Sequence, residues 1–473
     1  QDDGRDDFTN FEDNPVHRVT DEPVSTFAVD VDTASYSFVR RQLNYGLLPQ
    51  PDAVRVEEII NYFDYAYPLP DSRDQPFDTH VQVMDSPWNG NNKLLHIGIQ
   101  GYELAREARP RTNLVFLLDV SGSMDSPDKL PLVKQSLNLL LDQLGDDDHV
   151  AIAVYAGAAG TVLAPTPASD RRTIRAAMER LQAGGSTAGG EGIRLAYQLA
   201  RESFDGDAVN RVILATDGDF NVGITDHDEL QGFIERQREE GIYLSVLGFG
   251  EGNYHDSLMQ TLAQNGNGIA AYIDTLGEAQ KVLVEEATSA LFPIANDVKI
   301  QVHFNPATVS EYRLIGYETR ALSREDFNND QVDAGDIGAG HSVTAIYEFT
   351  PVGESGLIEP GRYEETAEPA AEHADEYAFV RLRYKLPGES DSILLEQPVA
   401  VDGPQVSELL QREARFATAV AGFAQLLRGG RYTGDWDYDD ALALAQANKG
   451  EDEYGYRTEL VQLIRKAKTA SAM

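Results

Sequence analysis

The run Leu114-Val115-Phe116-Leu117-Leu118 constrains the fold of this chain most, because five consecutive apolar residues leave no face of a strand for water. Such a strand belongs in a parallel sheet covered by helices on both faces. The chemistry changes immediately after it. Asp119, Ser121 and Ser123 place three oxygen-bearing side chains at alternate positions just past its carboxyl end. Ligands of open α/β sheets bind at that end.

The periodicity downstream predicts a strand–helix alternation, with strands at 149–155, 161–163, 211–215, 242–249 and 270–273. Helices are expected at 129–144, 171–181, 192–204, 228–240, 254–264 and 276–291. The fold class is therefore α/β, a doubly wound, Rossmann-like domain over residues 109–292.

The flanks read differently. Residues 1–24 form an extended acidic lead, and 25–75 begin with a strand at 25–31 before turning helical. There Asp32-Thr33-Ala34-Ser35 offers capping chemistry for a helix that Gly46 stops, and a second helix covers 54–63. Segment 76–108 carries a β-hairpin turning at Asn89-Gly90-Asn91-Asn92. From 293 to 405 the period is two, with strands at 297–304, 311–318, 342–351, 377–385 and 393–400 and a mobile loop over 359–376. Residues 406–473 read as helices at 408–427, 438–448 and 456–468. Hairpin and later strands each have one apolar face to bury, so they are expected to pack together. The α/β domain is then an insertion between β-sandwich-like and helical segments.

Two later segments extend the Asp119 pattern. In Gly184-Gly185-Ser186-Thr187-Ala188-Gly189-Gly190 the glycines permit close approach and present the Thr187 hydroxyl, while Asp217 ends the apolar run Leu214-Ala215-Thr216 as Asp119 ends its own. Hydroxyls and carboxylates suit a hard cation such as Mg²⁺, which takes near-octahedral oxygen ligands at about 2.0–2.1 Å. Composition supports a cation: 78 Asp and Glu face 39 Lys and Arg, a net charge of -39 that repels nucleic acid and draws divalent ions. The absence of Cys excludes disulfides, thiol nucleophiles and zinc ribbons. No apolar run has the roughly eighteen residues of a membrane helix, and the start QDDGRDD lacks a signal-peptide profile, so an export signal or lipid anchor is expected upstream.

Blander readings compete at other positions. A nucleophilic Ser121 or Ser123 lacks the G-x-S-x-G frame and a triad, and His227 and His255 beside acids read as polar caps. Gly248-Phe249-Gly250-Glu251-Gly252 lacks the Lys-Ser/Thr ending of a phosphate loop and reads as a turn. Asp30 and Asp32 are assigned to capping the next helix before cation binding. Asp326, Asn328, Asp330, Asp333 and Asp336 resemble a calcium loop out of register and read as a solvated connection.

The motifs DVSGSM, GGSTAGGEGI and TDGDFNVG, in this order and spacing, resemble the von Willebrand factor A (VWA) domain with its metal-ion-dependent adhesion site, or MIDAS. The resemblance implies that Asp119, Ser121, Ser123, Thr187 and Asp217 hold Mg²⁺ or Ca²⁺, with Mn²⁺ a further candidate. It also implies an open coordination place for a carboxylate from a protein or glycan partner. The N-terminal stretch FEDNPVHRVTDEPVSTFAVDVDTASYSFVRRQLNYGLLPQPDAVRVEEIINYFDY and the segment EDFNNDQVDAGDIGAGHSVTAIYE are similar to the flanks of bacterial VWA proteins of the YfbK type. That similarity implies a cell-envelope protein, periplasmic or extracellular and tethered as a lipoprotein, and the missing triad and general base predict that it is not an enzyme. A structural or assembly scaffold, in which the metal only rigidifies the VWA loops, is the alternative.

Overall fold

The computed structural model of the chain describes residues 8, 10–71, 75–105, 108–156, 158–184, 192–218, 226–250, 256–285, 291–332, 334–359 and 373–472. It divides into two compact units, one of residues 1–9, 32–37 and 104–293 and the other of residues 10–31, 38–103 and 294–473.

The first unit is built on a six-stranded sheet. In spatial order its strands are Ala270–Ile273, Ile242–Phe249, Val209–Thr216, Thr112–Asp119, His149–Tyr155 and Ala159–Pro167. All neighbours run parallel except the last pair, which forms a hairpin. Every residue of Thr112–Asp119 is buried, which is why its sequence carries no alternation. Helices Leu130–Gln143, Arg171–Glu179, Gly192–Glu202, His227–Glu239 and Asp256–Asn265 lie between the strands in sequence. Asp170 and Asp226 cap two of them by accepting from Thr173 N and Glu229 N. A core cluster joins Val115, Leu117 and Leu214 of the sheet to Tyr197 and Phe233 of the helices, whose rings meet edge-on at 5.4 Å. Where the pattern predicts one helix over 276–291, the structure has Leu276–Gln280 followed by a π-helical turn at Lys281–Glu285. Residues 286–290 lie outside the described residues.

The second unit is a sandwich of two mainly antiparallel sheets with helices. One sheet runs His17–Arg18, Val309–Ile315, Ser342–Pro351, Lys93–Gly101, Phe77–Asp85. The other runs Ala321–Leu322, Val24–Ala28, Pro293–Phe304, Glu376–Lys385, Ser392–Ala400. Their facing rings interlock: Phe304 stacks on Tyr312 at 4.2 Å and meets Tyr347 edge-on at 5.3 Å. The predicted hairpin does more than pack against the later strands. Lys93–Gly101 is hydrogen-bonded into their sheet, with Gln100 opposite Ser342 and Lys93 opposite Phe349.

The C-terminal helices Glu408–Leu427, Tyr438–Asn448 and Tyr456–Ser471 belong to this same core. Phe416 meets Phe63 edge-on at 5.3 Å, and Thr418 Oγ1 lies 3.1 Å from Nε2 of buried His96. Burial holds that imidazole neutral, pushing its pKa down to about 3. Part of the expected mobile loop, 360–372, lies outside the described residues.

Glu57 is fully enclosed in this unit and accepts from Tyr317 N at 2.9 Å. Burial, reinforced by the charges of Glu318 and Asp30, pushes its pKa from 4.5 up to about 7. The fold therefore prefers the protonated acid, so its contribution is complete below pH 4.5 and is lost as pH rises through about 7. The loss amounts to at most about 3 kcal/mol. Glu57→Gln keeps the acceptor for Tyr317 N, and it is expected to melt higher than wild type at about pH 8 while matching it in acid. Parallel melting curves across that range would refute the assignment.

Candidate metal centre

The site is made by strand adjacency. Thr112–Asp119 pairs in parallel with Val209–Thr216, with Leu118 opposite Ala215. Asp119 ends one strand and Asp217 follows the other by a single residue, so both carboxylates arrive at the same sheet edge. The strand order reverses here too: from Thr112–Asp119 the chain pairs next with His149–Tyr155 on one side and later with Val209–Thr216 on the other. Crevices of this kind are where open α/β sheets bind ligands.

A short turn arranges the hydroxyls. Asp119 Oδ1 accepts from Ser121 N at 2.8 Å, and Ser121 leads into the 3₁₀ turn Gly122–Asp125, closed by Met124 N to Ser121 O at 3.0 Å. The fully buried Met124 pins the turn, and the Oγ atoms of Ser121 and Ser123 converge to 2.9 Å. Asp119 and Ser121 are buried and Ser123 is exposed, so the donors span from core to surface. Gly184 N donates to Val120 O at 2.8 Å, fixing the start of the glycine segment beside this turn. Thr187, the remaining predicted ligand, lies outside the described residues, as does His255.

Asp217 has a partner that the sequence reading did not single out. Lys129 Nζ donates to its Oδ2 at 2.8 Å, with side-chain exposures of 11% and 0% for Lys and Asp. Lys129 stands just before the helix Leu130–Gln143 and reads from sequence as its first residue; one Lys among nine gives no signal of that contact. The donor set of Asp119, Ser121, Ser123 and Asp217 is all oxygen and carries two buried carboxylates, which fits a hard divalent cation. Among the described residues no cluster of three or more His, Cys, Asp or Glu is placed to hold a metal ion, so a cation here depends on the hydroxyls.

The other candidates are engaged elsewhere. Asp30 pairs with Arg320 at 3.0 Å, and Asp32 accepts from Ala270 N at 2.9 Å. Of the calcium-loop acids, Asp326 completes a capping box with Ser323, Asp330 binds Arg383 at 3.0 Å, and Asp336 accepts from Asp297 N. Asp333 lies outside the described residues. Gly250 adopts φ +79° in a bend after Ile242–Phe249, as a turn requires, and Glu251 and Gly252 lie outside the described residues.

This fold and edge geometry define a VWA-type α/β domain, and the family profile for the von Willebrand factor type A domain matches residues 113–286. The profile for the C-terminal region of uncharacterized protein YfbK matches residues 289–470, and one described as von Willebrand factor matches 2–96. The chain is 45% identical over 464 residues to the uncharacterized protein YfbK of Escherichia coli K12, covering 97% of this chain and 80% of that protein. The chain belongs to the YfbK family of bacterial VWA-domain proteins.

Among solved structures, the conserved hypothetical protein BatB from Bacteroides thetaiotaomicron is 27% identical, with a TM-score of 0.31 over 37% of this chain and 97% of that one. The mussel byssus proximal thread matrix protein 1, solved with a zinc-occupied MIDAS motif, is 21% identical, with a TM-score of 0.32 over 38% of this chain and 46% of that one.

Removing one partner of a buried ion pair leaves the other charge uncompensated, at a cost of about 3 kcal/mol or more. Asp217→Ala is accordingly expected to lower the urea midpoint of the metal-free protein. An unchanged midpoint would show that Lys129 reaches water when Asp217 is gone.

Proposed function

We propose that this chain is a non-enzymatic binding protein whose VWA domain takes a divalent ion at Asp119, Ser121, Ser123, Thr187 and Asp217 and uses it to engage a carboxylate of a protein or glycan partner. The convergence of the Ser121 and Ser123 hydroxyls at 2.9 Å, beside the Asp119 and Asp217 edge, carries this reading. Mg²⁺ and Ca²⁺ are the preferred ions, with Mn²⁺ accepted by the same hard donors. Bound there, the ion would supply a Lewis-acidic place for an incoming carboxylate. The protein residues contribute charge through the two Asp and orientation through the turn closed by Met124.

A cell-envelope location, with a lipid anchor upstream of residue 1, is part of the proposal and rests on the resemblance to YfbK-type proteins. No helix among the described residues is long and apolar enough to cross a membrane.

Calorimetric titration of the full chain with Mg²⁺ is expected to give saturable binding for wild type and none for Asp119→Ala; equal heats for both would remove the site assignment. Capture of a partner from envelope extract is expected to be lost with EDTA and with Thr187→Ala. Capture that survives both would favour the scaffold reading, in which the ion only stabilises the native loops.

A further inference from the structure

We propose that Lys129 is a built-in counter-ion of the metal centre: it holds the Asp217 carboxylate when no divalent ion is bound and thereby weakens and tunes the binding of that ion. The inference rests on the metal-binding reading above and adds to it a residue outside the five proposed ligands.

Two carboxylates at one buried sheet edge repel each other in a medium that screens poorly. Lys129 answers that repulsion at Asp217 Oδ2, 2.8 Å away. Its placement is constrained along its whole length. Lys129 N donates to Ser126 O at 3.0 Å and Lys129 O accepts from Val133 N at 2.8 Å, fixing the backbone at the start of the helix. The aliphatic stem then runs against Gly250, where a Cβ would lie 2.3 Å from Lys129 Cε and 2.5 Å from Cγ. Any side chain at position 250 would therefore displace the stem, and the φ of +79° independently favours glycine. The Gly250 carbonyl accepts from the hydroxyl of buried Tyr272, which steadies the wall of this passage.

A dication approaching Asp119, Ser121 and Ser123 thus meets an edge already carrying one fixed positive charge. It must either take Asp217 from the ammonium or bind with that ammonium nearby, and both weaken its hold. The same contact keeps the metal-free edge from being destabilised by its own charge.

The test uses the full chain, Mg²⁺ alone and two variants. Lys129→Gln retains a donor for Asp217 without charge, and Lys129→Met keeps an unbranched stem with neither. Both are expected to bind Mg²⁺ roughly tenfold more tightly than wild type or better, given the strength of charge interactions at such a site. Both are also expected to melt lower without metal and to gain more in melting temperature when it is added. Wild-type binding with unchanged affinity in both variants overturns the counter-ion role and leaves the metal site standing. Absence of Mg²⁺ binding in all three proteins overturns both. If the variants do not fold, ¹³Cε-lysine spectra of wild type decide: the Lys129 signal is expected to shift on Mg²⁺ addition, and a signal that stays fixed at saturation overturns the proposal.

Discussion

Two acidic side chains, Asp119 and Asp217, are buried at the same end of two neighbouring parallel strands, and much of the first unit is arranged around that electrostatic burden. The backbone ladder leaves no choice in the matter: once Leu118 stands opposite Ala215, the two acids share an edge. An isolated buried carboxylate is costly, so the surroundings must supply hydrogen bonds or positive charge. Ser121 N supplies one bond to Asp119 and Lys129 supplies a charge to Asp217. The converging hydroxyls of Ser121 and Ser123 then offer oxygen donors where further positive charge is attractive.

The second unit solves a different problem. Its strands come from sequence positions as far apart as Val24–Ala28 and Ser392–Ala400, and residues 104–293 of the other unit intervene in the chain. Such a unit is held by pairings of great sequence separation, as in Gln100 with Ser342. Aromatic rings between the sheets and a buried Arg313–Glu348 pair at 2.6 Å complete it. Polar groups are tolerated there because they are matched, Glu348 also accepting from Trp88 Nε1 at 3.0 Å.

Much of the local structure was legible from periodicity. The strands at His149–Tyr155, Ile242–Phe249 and Ala270–Ile273 and the helices Glu408–Leu427 and Tyr438–Asn448 fall where their apolar patterns place them. The detail differed where local signals were equivocal. The helix expected over 276–291 takes a π-helical turn at Lys281–Glu285 among its described residues, and the helix expected over 54–63 shortens to Val56–Asn61 behind a 3₁₀ turn begun by Pro51. Asp30 and Asp32, read from sequence as capping groups, are also bound by Arg320 and Ala270 N, partners hundreds of residues away that only tertiary folding brings within reach.

By itself the sequence determined the α/β alternation, the buried central strand and the residue types at its carboxyl end, since these follow from burial pattern and from which side chains carry oxygen. Only the tertiary structure decided that the hairpin of residues 77–101 joins the sheet of residues 342–351, and that Lys129 is the cation against Asp217. Both are long-range matters. A strand's edge does not name its partner, and an ammonium at the start of a helix points nowhere until a glycine bend more than a hundred residues later opens a passage for it.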